Sequence, residues 1–179
     1  ESSLTGESVP VEKITEKMNK KNIHLLTQAA MIAALYVVLT FVANAFGLAN
    51  YAVQVRFSEA LTILPYFTVA GIPGLFIGCL LSNILTGCAL PDIIFGSLAT
   101  LIGALGTYKL KKSPWLAPLP PIVANAVIVP LVLKYAYKIE PLWFSFLTVT
   151  AGEIISCGIL GLLLLFTLNK YRKQLFGEN

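Results

Sequence analysis

VRFSEALTILPYF, residues 55–67, sets two opposite charges, Arg56 and Glu59, at the mouth of an otherwise apolar segment. Segments of that kind make up most of the chain. Its 179 residues are 56% hydrophobic and only 12% charged, whereas a soluble domain carries about 25% charged residues. Apolar runs recur from Leu25 through to Leu168. Backbone in lipid must satisfy its own hydrogen bonds, which leaves helices or a closed barrel. The runs are too continuous, and alternate too little, for barrel strands. The fold class predicted is an all-α integral membrane protein.

Six apolar helices are expected, over residues 23–46, 57–70, 73–86, 91–110, 115–137 and 142–171, with Gly and Pro marking the joins. The second and third are short for a bilayer that asks about 20 residues of a span. They could instead form a re-entrant hairpin. With both termini in the cytoplasm, the inner flanks hold Lys13, Lys17, Lys20, Lys21, Lys109, Lys111, Lys112, Lys170, Arg172 and Lys173, against Arg56, Lys134 and Lys138 outside. That imbalance favours cytoplasmic termini. Residues 1–17 are polar and unlike the rest; they are expected to be a non-native or disordered leader, a tag or a start artefact, with residues 18–179 forming the membrane domain.

Depth follows at about 1.5 Å per residue. Arg56 and Glu59 then lie at the outer mouth of the second helix, Asn83 near the outer end of the third, and Asp92 opens the fourth. Asn125 and Glu153 fall roughly 15–17 Å below the outer surface. A carboxylate that deep costs about 2.5–3.5 kcal/mol to insert, so it faces a cavity or a partner. Together these groups describe a pocket open outward and closed toward the cytoplasm. Carboxylates and amides with little buried positive charge suit a ligand rich in N–H donors. A guanine-like ring offers two parallel donors to one carboxylate, and such charge-assisted pairs are strong. Tyr51, Phe57, Tyr66, Phe67, Trp115 and Trp143 offer aromatic surface. Asp92 also suits the first turn of a helix on its own, and Arg56 with Glu59 could be an interfacial ion pair of little energy.

Other chemistries find less support. The basic residues sit at the edges of apolar runs, as membrane topology requires, so no nucleic-acid partner is expected. Cys79, Cys88 and Cys157 lack metal spacing, and an odd count cannot pair fully. No cofactor and no metal site are expected, and His24 reads as interfacial. A membrane enzyme using Glu153 and Asp92 lacks a second base or nucleophile. An ion or proton carrier lacks polar lining on the inner side. LTGES with VPVEK, residues 4–13, resembles the actuator loop of P-type ATPases, but the DKTGT motif is absent and Glu7 has no chemistry to perform. In the first helix Ala29 and Ala33 share a face, as do Ala30 and Ala34. Small residues four apart allow close helix approach in lipid, for internal packing or for docking a membrane partner.

VRFSEALTILPYF, followed by GIPGLFIGCLLSN and DIIFGSLATLIGAL, resembles the QueT family, substrate-binding S components of energy-coupling factor (ECF) transporters for queuosine precursors. The resemblance covers nearly all of residues 19–176. It implies a six-helix S-component fold in the cell membrane, no enzymatic activity, and a 7-deazaguanine such as 7-aminomethyl-7-deazaguanine as substrate. It also implies an ECF module of one transmembrane coupling protein and two ATPases. The family's A-x-x-x-A docking motif maps onto Ala29 and Ala33 or onto Ala30 and Ala34. Residues 47–55 become a lid over the pocket, and Arg56 and Glu59, where it joins the second helix, pin the lid or touch substrate. Substrate contact is expected from Glu153, Asn125, Asp92, Asn83, Arg56 and Glu59. The alternatives left open are an S component for another vitamin or nucleobase and an ion-coupled carrier.

Overall fold

The computed structural model describes residues 8–47 and 55–176. These are helical, with no strand among them. The elements are α1 (Ser8–Ala45), a 3₁₀ segment (Phe57–Tyr66), α2 (Gly71–Leu85), α3 (Leu90–Lys109), a 3₁₀ turn (Pro114–Leu116), α4 (Leu119–Tyr137), α5 (Leu142–Glu153), a π-helical segment (Ile154–Leu160), α6 (Gly161–Lys170) and α7 (Arg172–Phe176). Four stretches are long and apolar enough to cross a membrane: Met18–Ala45, Leu90–Lys109, Pro114–Tyr137 and Leu142–Lys170. The apolar helix Gly71–Leu85 is shorter. Met31, Leu35, Val38 and Phe41 of α1 all point outward and are exposed. An apolar exterior of this kind is stable in lipid.

Two elements differ from the expected α-helices. Residues 57–66 wind as a 3₁₀ helix rather than as the start of an α-helix over 57–70. Pro65 has no N–H to give to the carbonyl of Leu61. The Thr62 hydroxyl donates to the carbonyl of Glu59 at 2.6 Å, a local bond that competes with the α-ladder. At a rise of about 2.0 Å per residue, ten residues still cover roughly 20 Å. The segment runs through the bundle and touches α1, α2, α3, the π segment and α6. Ser58 to Pro65 are all buried. The sixth expected helix is one rod in three parts, its middle opened into π turns directly after Glu153. Such π insertions are frequent at functional sites. At the other end, α1 begins at Ser8, so residues 8–17 continue the first helix; residues 1–7 lie outside those described.

Small residues set the helix spacings. On α2, a Cβ at Gly74 would stand 2.8 Å from the Ala29 carbonyl oxygen, and one at Gly78 would stand 2.7 Å from the Tyr36 Cβ. Glycines four apart thus bring α1 and α2 into backbone contact. Gly103 and Gly106 of α3 meet Pro121 and Pro120 of α4 in the same way. An apolar core of Ile32, Leu61, Leu64, Phe67, Leu75 and Leu165 fills the end of the bundle where α1 enters and α6 leaves. There Phe67 stacks on Phe176 with centroids 5.0 Å apart. The polar residues gather above that plug.

Candidate functional site

The bundle holds a small cavity of about 20 Å³ lined by residues from five segments. Arg56 and Glu59 come from the 3₁₀ segment and its entry, Cys79 from α2, Asp92 and Thr100 from α3, Asn125 from α4 and Glu153 from α5. A second cavity of about 450 Å³ adjoins it and shares Arg56, Asp92 and Val129. Thr40 and Asn44 of α1, Asn83 of α2, Thr86 and Cys88 just past its end, and Leu133 and Tyr137 of α4 with Ile139 complete its walls. These residues sit where α1, α2 and α4 end and α3 begins. The two cavities therefore form a vestibule at one end of the bundle with a polar pinch at its base.

Two carboxylates dominate the pinch. Glu59 is 2% exposed and Glu153 9%. One oxygen of each lies, with the Cys157 sulfur, in a group whose members are within 4.8 Å of one another. Two full negative charges at that separation would repel by about 3.5 kcal/mol at an effective dielectric of about 20. The Tyr36 hydroxyl of α1 donates to Glu59 Oε1. Oε2 of Glu59 is buried and accepts no hydrogen bond among the described residues. The Cys157 thiol donates to Glu153 Oε2 at 3.0 Å and lies 3.4 Å from the Glu59 carbonyl oxygen. Asn125, 4% exposed, sits beside both carboxylates.

The throat is less dense. Tyr137 donates to Asp92 Oδ2 at 3.3 Å and accepts from the backbone N–H of Ala89 at 2.9 Å. The Asn83 amide donates to the Asp92 carbonyl oxygen at 3.4 Å. Arg56 is half-buried in extended backbone just before the 3₁₀ segment. Its N–H donates to Ser156 Oγ at 3.1 Å. Among the described residues the ion pairs are Lys20 with Glu16 and Lys134 with Glu140. Arg56 is thus not ion-paired with Glu59, contrary to the interfacial pair that their spacing suggests. Glu59 turns inward to Tyr36, because the chain enters the 3₁₀ segment extended rather than helical.

Glu59, Glu153 and Cys157 are close enough to surround a small cation. The sulfur, however, acts as a donor to Glu153, whereas metals are held by thiolate. The donor set fits an organic ligand rich in N–H groups better than a metal ion: one unpartnered carboxylate oxygen, a second carboxylate and a primary amide.

The family model described as QueT transporter matches residues 26–170. This chain belongs to the QueT transporter family. QueT-family members are transporters, not enzymes. A curated relative, the queuosine precursor transporter QueT of Lactococcus lactis subsp. cremoris, is 34% identical over 85 residues, 48% of this chain and 50% of the relative. The chain spans about half the length of the curated relative it matches. No solved structure matches the chain at a significant level.

In this QueT-family chain, all six residues expected to contact substrate line one of the two adjoining cavities. Glu59, Asn125 and Glu153 lie at the pinch, Asn83 in the vestibule, and Arg56 and Asp92 between. The aromatic residues do not join them. Trp115 and Trp143 are exposed on the outside, Tyr66 and Phe67 pack at the opposite end, Phe57 lines neither cavity, and Tyr51 lies outside the described residues with most of the expected lid. Sequence reasoning missed Tyr36 and Cys157. A tyrosine hydroxyl in mid-span needs a partner, and Cys157 lies one turn after Glu153 on the same face; both signals were legible. The two alanine registers also separate: Ala29 and Ala33 are buried, 8% and 7% exposed, against α2, while Ala30 and Ala34 are exposed.

Proposed function

We propose that this chain is the substrate-binding S component of an ECF-type transporter that imports a queuosine precursor, a 7-deazaguanine such as 7-aminomethyl-7-deazaguanine. The relative's name supplies the substrate class. The observation that carries the assignment is the buried pair of Glu59 and Glu153 with Asn125 beside them. One carboxylate takes the N1–H and 2-amino donors of the ring as two charge-assisted hydrogen bonds. The second faces positive charge on the ring's substituent, and Asn125 bridges them. The vestibule has room for a bicyclic ring, whereas the pinch admits little more than one water. The ring therefore enters through the vestibule and reaches the carboxylates by displacing the side chains of Arg56, Asp92 and Val129 at the shared wall.

In this proposal the bundle crosses the cell membrane six times. The 3₁₀ segment and α2 are its two short crossings, and both termini are cytoplasmic. The vestibule opens outward and the apolar plug faces the cytoplasm. A separate module of one transmembrane coupling protein and two ATPases supplies the energy. It docks on Ala30 and Ala34, since Ala29 and Ala33 are already occupied by α2. Isothermal titration of the purified protein with 7-aminomethyl-7-deazaguanine, and with adenine as a control, tests the substrate. Saturable binding of the 7-deazaguanine alone is expected; no binding by protein that unfolds cooperatively on heating would refute it.

A further inference from the structure

The carboxylate pair carries more negative charge than its surroundings balance. Glu59 and Glu153 are both buried, with an oxygen of each within 4.8 Å of the other. Most of the elements packed around them contribute a polar or titratable neighbour; α6, which packs against the 3₁₀ segment, contributes none. Tyr36 comes from α1, Arg56 from the entry to the 3₁₀ segment, Cys79 from α2, Asp92 from α3, Asn125 from α4 and Cys157 from the π segment. Arg56 is the one cation in that set. It is half-buried, ion-paired with neither glutamate among the described residues, and it lines the throat together with Asp92. Three carboxyl groups thus face one guanidinium. Tyr36 and Cys157 each donate to one oxygen of the pair, and Glu59 Oε2 accepts no hydrogen bond. A buried acceptor without a donor is costly, and so are two like charges in close contact. One proton held between the carboxyls relieves both.

We propose that Glu59 and Glu153 share a single proton in the ligand-free protein and release it when a ligand bearing one positive charge binds. The exchange balances: an ammonium enters, one proton leaves through the vestibule, and the net charge of the site is unchanged. A neutral ligand has no charge to exchange and leaves the proton in place. This rests on the substrate assignment above and adds to it that binding is proton-linked. It also gives selectivity, because the site takes up a cationic ring in preference to a neutral one of the same shape and does so more strongly as pH rises.

Two measurements test it. The first is isothermal titration at neutral pH in two buffers of different ionisation enthalpy, with 7-aminomethyl-7-deazaguanine as the cation and 7-cyano-7-deazaguanine as the neutral ligand. About one proton released per cation bound, and none for the nitrile, is the expected result. Binding of the cation without proton release overturns the proposal and leaves the substrate assignment standing. The second is infrared spectroscopy of the ligand-free protein, which needs no substrate. A protonated-carboxyl band is expected that disappears in Glu59→Gln and in Glu153→Gln. If neither ligand binds, the substrate assignment fails, and the infrared result alone judges the shared proton. A missing band, or one unchanged in both variants, overturns it.

Discussion

Glu153→Gln separates a ligand-binding carboxylate from a structural one, because the two roles give opposite results. The substitution keeps the size and shape of the side chain and an oxygen that can accept from the Cys157 thiol, now at 3.0 Å. It removes the negative charge. If the ring's donor edge binds Glu153, the bonds lost are charge-assisted ones, worth about 1.5–3 kcal/mol. That corresponds to a dissociation constant raised roughly 10- to 140-fold. The ligand-free protein should not suffer in step. Glu153 is 9% exposed, with a Glu59 oxygen within 4.8 Å, and a pair that already shares one proton carries a single negative charge, which an amide at 153 leaves unchanged. Its thermal unfolding midpoint should hold. The assay is titration calorimetry with 7-aminomethyl-7-deazaguanine, beside a thermal melt of the same sample without ligand. Unchanged affinity in a folded variant would refute the assignment. A lowered midpoint with affinity falling only in proportion would make Glu153 a structural residue.

Other substitutions probe the surroundings of the pair. Tyr36→Phe strips Glu59 of its side-chain donor and should cost about 1–3 kcal/mol of stability, seen as earlier thermal unfolding; an unmoved midpoint would exclude that bond. Gly78→Leu sets a side chain where a Cβ alone would stand 2.7 Å from the Tyr36 Cβ and 3.0 Å from the Ala33 Cα. Overpacking of about 1–3 kcal/mol is expected, with reduced yield of folded protein, and wild-type stability would show that α1 and α2 can separate there. Replacing the exposed Ala30 and Ala34 with Leu should block uptake in cells carrying the ECF module while the isolated protein binds its ligand normally. The same change at the buried Ala29 and Ala33 should lower stability and binding together. Uptake at the wild-type rate in the Ala30 and Ala34 variant would move the docking face elsewhere.

Much of the membrane character was legible without coordinates. Spans are long, and composition averaged over some 20 residues is a strong signal. The members of the polar cluster were legible too, since a charge or amide in an apolar run stands out against its background. Their geometry was not. The apolar run implied an α-helix from residue 57, but Pro65 and the Thr62 hydroxyl tighten that stretch into a 3₁₀ helix. The tighter winding, entered from extended backbone at Arg56, turns Glu59 into the bundle and leaves Arg56 at the throat.

Hydropathy, charge asymmetry and the isolated polar residues are local properties, and the sequence by itself determined them: a helical membrane protein with a handful of buried polar groups. Contact between residues far apart in the chain is a different matter. Glu59 meets Tyr36 across 23 positions, and its carbonyl meets Cys157 across 98. No local pattern encodes those distances, because they depend on how closely glycine and proline allow α1 to approach α2 and α3 to approach α4. The same approach decided between the alanine registers, burying Ala29 and Ala33 and leaving Ala30 and Ala34 outside. The tertiary structure alone decided that the two glutamates form a pair, since side chains from separate segments become neighbours only when the backbones between them have packed.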